Sequence, residues 1–124
     1  MSEAGEPVDW QHLREFAAVD LSKSFVLSWH MESDILMVDV DLYLAPEHPF
    51  YEKPRPAEKI CIRPACIEFP HCDSVTHDGE EGVASIGLGA IDNLVAHDGI
   101  YEISGDFGTV VIDAERPLLR LKGA

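Results

Sequence analysis

From Ser24 onward, apolar and polar residues alternate along the chain, which is the pattern of strands with one face buried in an antiparallel sheet. Ile35 to Leu44 shows it best: Leu36, Val38, Val40, Leu42 and Leu44 fall on one side, and Met37, Asp39, Asp41 and Tyr43 on the other. Phe25 to Met31 reads as the preceding strand, with Phe25, Leu27, Trp29 and Met31 on one face, and Glu32, Ser33 and Asp34 as the turn between the two. Further strands are expected at Glu58 to Arg63, Ala65 to Phe69, Ala90 to Ala96, Tyr101 to Gly105, Thr109 to Asp113 and Leu118 to Leu121. Pro64 implies an edge position or a kink, since a proline cannot donate to a ladder. Asp98-Gly99 is the two-residue turn of a type I′ hairpin, and the 77–82 stretch, His-Asp-Gly-Glu-Glu-Gly, is an acidic turn.

Ahead of the strands the period is helical. Asp9 is an N-cap candidate, and Trp10, Leu13, Phe16 and Ala17 form a stripe that predicts one short amphipathic helix over 10–18. Residues 1–7 combine polar side chains with Gly5 and Pro7 and predict a flexible tail. Pro46, Pro49, Pro54 and Pro56 forbid helix and central strand over 46–56, leaving a long, stiff loop. Together the elements predict an all-β chain with one short N-terminal helix, as an antiparallel β-sandwich or partly open barrel of about eight short strands.

The length of 124 residues fits a single domain over 1–124, and the 46% hydrophobic content suits an ordinary globular core. Charge changes the picture most. With 9 Lys and Arg against 23 Asp and Glu, the formal net charge is -14, which opposes nucleic-acid binding and docking on anionic membranes. Glu3, Glu6, Asp9 and Glu15 replace the basic start of a secretory signal. Three cysteines, an odd number, fit reduced thiols and a cytoplasmic location.

The leading helix, the 21–27 run Leu-Ser-Lys-Ser-Phe-Val-Leu, the hairpin, the Pro/Tyr loop, Ile67-Glu68-Phe69 and the terminal meander resemble a group of small bacterial β-sandwich proteins. Some of that group are immunity proteins of polymorphic toxin systems. The resemblance implies a bacterial, cytoplasmic, non-enzymatic protein and carries over no catalytic residue.

Three constellations are candidates for chemistry. Cys61, Cys66 and Cys72 with His71 and His77 offer ligands that zinc prefers, although steps of five and six residues are not the paired knuckles of a structural zinc site. Buried free thiols are the alternative reading. Asp73, His77, Asp78, Glu80, Glu81, His97 and Asp98 supply carboxylate and imidazole for acid–base work or a hard cation if they converge, and are otherwise solvated turn residues. In the proline loop, His48, Phe50 and Tyr51 form either a recognition surface or a cover over one end of the core.

Two functions follow from these residues. One is a non-enzymatic interaction module whose acidic surface, including Asp78, Glu80 and Glu81, occludes a basic partner protein in the manner of an immunity-type inhibitor, without a cofactor. The other is a metal or small-molecule binder, or a cryptic enzyme, with a cleft at one end of the sandwich lined by His48, Tyr51, Cys72 and His77. A homodimer through an edge strand near Pro64 is a third arrangement.

Overall fold

The computed structural model describes residues 8–48, 51, 62–84 and 86–121; the expected tail over 1–7 and most of the proline loop lie outside them. The described chain forms ten strands: β1 (Val8–Asp9), β2 (Val19–Glu32), β3 (Ile35–Leu44), β4 (Ile62–Phe69), β5 (Ser74–His77), β6 (Glu80–Glu81), β7 (Gly89–His97), β8 (Ile100–Gly105), β9 (Gly108–Asp113) and β10 (Leu118–Leu121). They join into one antiparallel sheet in the order β10-β4-β3-β2-β7-β8-β9-β5-β6, with β1 added beside β7.

The sheet curls on itself. Phe69 of β4 and Tyr101 of β8 have ring centroids 5.4 Å apart, although four strand spacings, roughly 19 Å, would separate them in a flat sheet. Trp29 meets Phe107, at the β8–β9 turn, edge to face at 5.2 Å. Leu36, Val38, Val40, Leu42 and Leu44 are buried as their alternation requires, and they face Ile91, Leu94, Ile103, Val110 and Ile112 from the other half of the sheet in one core. Among the described residues the outer strands β10 and β6 do not pair with each other, so there the all-β expectation holds in its unclosed form.

The N-terminal helix is replaced by two 3-10 turns, Trp10–His12 and Arg14–Phe16. Leu13 between them is extended, and the Asp9 side chain makes no capping hydrogen bond. Trp10, Leu13 and Phe16 recur every three residues, which matches the 3.0-residue turn as well as a helical stripe, and all three are buried.

β2 departs from its expected phase. Its register with β3 slips between Asp20 and Phe25 and again between Val26 and Ser28. The second slip makes Leu27 an extra residue with no opposite number on β3, so Val26 and Trp29 point into the core while Phe25 and Leu27 face solvent. Within the first slip, the fully buried Ser24 fills the gap in the ladder: its hydroxyl donates to the Asp20 carbonyl at 2.8 Å and accepts the Tyr43 N–H at 3.0 Å.

β4 runs through Pro64 and is flanked by β3 and β10, so the edge belongs to β10. Pro64 pairs with Asp41 of β3, and the described pairing of β4 with β10 covers Ala65 to Glu68. Tight turns close the remaining hairpins. Asp78-Gly79 and Asp98-Gly99 both have two consecutive positive φ angles, 51° and 84° in the first pair and 58° and 82° in the second, as a type I′ turn requires.

Candidate functional site

The candidate ligands do not gather. Among the described residues, no three His, Cys, Asp or Glu side chains stand close enough to share a metal ion. Cys61 lies outside the described residues. Cys66 and Cys72 are both buried. The Cys72 thiol donates to the Ser74 carbonyl at 3.6 Å, and burial, with help from Asp113, Asp73 and Asp34, pushes it above its ordinary value. It is therefore a poor thiolate, either as a ligand or as a nucleophile. His71 is exposed, with Nδ1 3.3 Å from Asp34.

His77 is committed to the fold. Its Nε2 lies 2.7 Å from the Phe107 carbonyl, and a carbonyl only accepts, so Nε2 carries the proton and donates it there. The same nitrogen is 3.3 Å from the exposed Asp78 carboxylate. The ring thus ties the β5–β6 hairpin to the β8–β9 turn.

The acid–base set is spread along the sheet. Register pairs His97 with Ile100, Ile100 with Asp113 and Asp113 with Ser74, whereas His77 pairs with Val110 three residues further along. Asp98 and Asp78 each lie one residue beyond these rows in opposite directions. They are about five residue steps, roughly 17 Å, apart along the strands. Asp73 shares the end that holds His97, where its N–H donates to the Asp113 carbonyl.

In the proline loop Phe50 lies outside the described residues. Tyr51 is half-buried against the core, and His48 is half-buried, with burial lowering its pKa from the ordinary value. Neither faces the same cleft as Cys72. One cleft, about 300 Å³, lies between Met31 of β2 and Cys72, Asp73, Val75 and Glu81. Another, about 600 Å³, has an apolar floor of Val8, Leu13, Ala96 and Tyr101, with Asp98 and Arg116 also lining it.

No family model, curated protein or solved structure matches this chain. The functional reading therefore rests on the surface of the molecule itself. Among the described residues no helix is long and apolar enough to cross a membrane.

The decisive surface property is how charge is divided between the halves of the sheet. Between Arg63 and Arg116 the chain contains no Lys or Arg, while it carries eleven of the 23 acidic residues. Strands β5 to β9 fall wholly inside that run, so one half of the sheet bears carboxylates and no lysine or arginine. Asp78, Glu80, Glu81, Asp92, Asp98, Glu102 and Asp106 are all exposed there. Register sets Glu102 and Glu81 in one cross-strand row on the outer face, through Val111 and Thr76. Composition exposes the net charge but not this division. The signal for it is the 52-residue stretch without a basic residue, which gains meaning once those strands are known to pair with one another.

Proposed function

We propose that the protein is an interaction module whose acidic half-sheet covers a basic surface on a partner protein and occludes it. The observation that carries this reading is that strands β5 to β9 contain no lysine or arginine of their own while carboxylates stand exposed along them. In a mixed surface, neighbouring opposite charges screen one another within a Debye length, about 8 Å at physiological salt. A surface of one sign projects its field further, steers a basic partner into encounter and penalises acidic competitors. A partner whose own function needs a basic cleft is blocked by such occupancy, with no catalytic residue required. A cytoplasmic, bacterial setting and an immunity-type role extend this reading from the resemblance of the sequence.

The test is capture of a lysine- and arginine-rich protein at low salt on immobilised wild type, followed by titration of the captured protein against increasing salt. Asp78→Asn with Glu80→Gln and Glu81→Gln is expected to weaken binding at least about tenfold at low salt and to flatten the salt dependence. Equal retention by the wild type and the neutralised variant overturns the reading.

The cleft of about 600 Å³ favours a second reading, since its size falls within the range of small-molecule sites. A bound metabolite that survives purification and adds mass in native mass spectrometry would decide for it.

A further inference from the structure

The six large apolar side chains exposed among the described residues are not scattered evenly. Three of them, Phe25 at 46%, Leu27 at 46% and Leu88 at 55% exposure, belong to one seam of the sheet. β2 and β7 pair there through Phe25 with Ala90 and Val26 with Gly89. The pairing ends at Val26 and Gly89, so Leu27 and Leu88 are the next residue on each side of the seam, and the Trp29 indole N–H donates to the Gly87 carbonyl at 2.8 Å. Isolated exposed leucines are ordinary, but a contiguous group is a mark of contact surfaces.

The bulge makes the group. Without the extra residue at Leu27, β2 would continue one alternation and Phe25 and Leu27 would share the core face with Trp29. Bulges of this kind re-aim side chains and are concentrated where function needs them. Carboxylates border the group. Asp41 is the β3 partner of Phe25, Asp92 is exposed two residues past Ala90, and the Asp106 carboxylate accepts the Ala90 N–H at 3.0 Å. Lys23, the nearest cation along β2, lies over the Tyr43 ring, 5.0 Å from its centroid.

We propose that Phe25, Leu27 and Leu88 form the docking centre for the basic partner, receiving a segment in which an apolar side chain is flanked by lysine or arginine. The proposal rests on the acidic-module reading and gives that module a site. A small apolar centre that loses its water, ringed by charge, is how interfaces concentrate affinity in a few residues. Charge complementarity selects the occupant. A second copy would bring carboxylate rim against carboxylate rim between chains of net charge -14, whereas a basic segment neutralises the rim as its apolar side chain covers the centre.

Amide NMR spectra of the intact protein at low salt, titrated with the capped peptide Lys-Lys-Leu-Leu-Lys-Lys and its control Lys-Lys-Ser-Ser-Lys-Lys, test this. The leucine peptide is expected to shift the amides of 25–28 and 87–90 and to bind at least about tenfold more tightly than the control. That advantage is expected to vanish in the variant Phe25→Thr with Leu27→Thr and Leu88→Thr. Leu88→Thr alone, outside any strand, keeps the test informative if the triple variant unfolds. Equal affinity of the two peptides, or shifts centred elsewhere, overturns the docking centre and leaves the acidic module standing. Failure of both peptides to bind overturns the module as well. Shifts at these amides that grow with protein concentration, without peptide, show that a second copy covers the seam and also overturn the proposal.

Discussion

Replacing Ser24 by alanine tests whether one hydroxyl holds the first slip of β2. The side chain is fully buried, donates to the Asp20 carbonyl at 2.8 Å and accepts from the Tyr43 N–H at 3.0 Å. Alanine fits the space but removes both partners, leaving one buried N–H unsatisfied at a cost of about 1–3 kcal/mol. The Asp20 carbonyl, on a half-buried residue, adds less because water reaches such positions more readily. The expected loss is about 2–3 kcal/mol. In urea, with a slope of roughly 1–3 kcal/mol per molar, this lowers the midpoint by about 0.7–3 M at unchanged slope, and amide exchange at Tyr43 accelerates with it. The control is Ser22→Ala, whose hydroxyl bonds only the exposed Asp20 carboxylate at 2.5 Å and whose loss should cost under about 0.5 kcal/mol. If the two alanine variants unfold at the same midpoint, the hydroxyl does not bridge the gap and the account of the slip is wrong.

Gly105→Ala is expected to destabilise by at least about 3 kcal/mol, because the added Cβ would fall 2.1 Å from the Ala90 carbonyl oxygen; thermal unfolding measures it against Gly79→Ala, where the space is open and only the positive φ opposes the change, at about 1 kcal/mol. Cys66 and Cys72, both buried, should react with a thiol reagent only on unfolding, and a fast native reaction at either would contradict their burial. Because the Cys72 pKa is raised in the fold, the unfolded chain loses its proton first, and stability should fall as pH rises above about 9 in the wild type but less in Cys72→Ala. For His48 the folded value is lowered, so the unfolded chain gains a proton first and stability should fall as pH drops below about 6.5; denaturant midpoints of wild type and His48→Gln across pH 5–8 check the sign.

β3 was readable because nothing interrupts its alternation, and the inward residues Leu36 to Leu44 all lie where a period of two places them. β2 defeated the same rule. A bulge shifts the phase by one residue, and a pattern of Phe25, Leu27, Trp29 and Met31 gives no sign of where the shift falls. The 3-10 turns share their three-residue spacing with an α-helix, so periodicity alone did not separate the two. β5 holds a single buried residue, Val75, and has no alternation to find. For the candidate site, sequence supplied the carboxylates and their sign. The distance between His97 and His77, and the seam that gathers Phe25, Leu27 and Leu88, follow from register between distant segments, which local pattern does not encode.

The unclosed sheet has a consequence for solubility. Its two terminal strands are unlike: β6 is a pair of glutamates, and β10 is Leu118, Leu119, Arg120 and Leu121. At neutral pH the first refuses another strand by charge, and the second is shielded by the repulsion between whole molecules. Mild acid weakens the charge safeguards, because the net charge of the whole molecule approaches zero near the sequence pI of 4.5. The open edges then become templates for strand addition, so the protein should lose colloidal stability near that pH while its core is still folded.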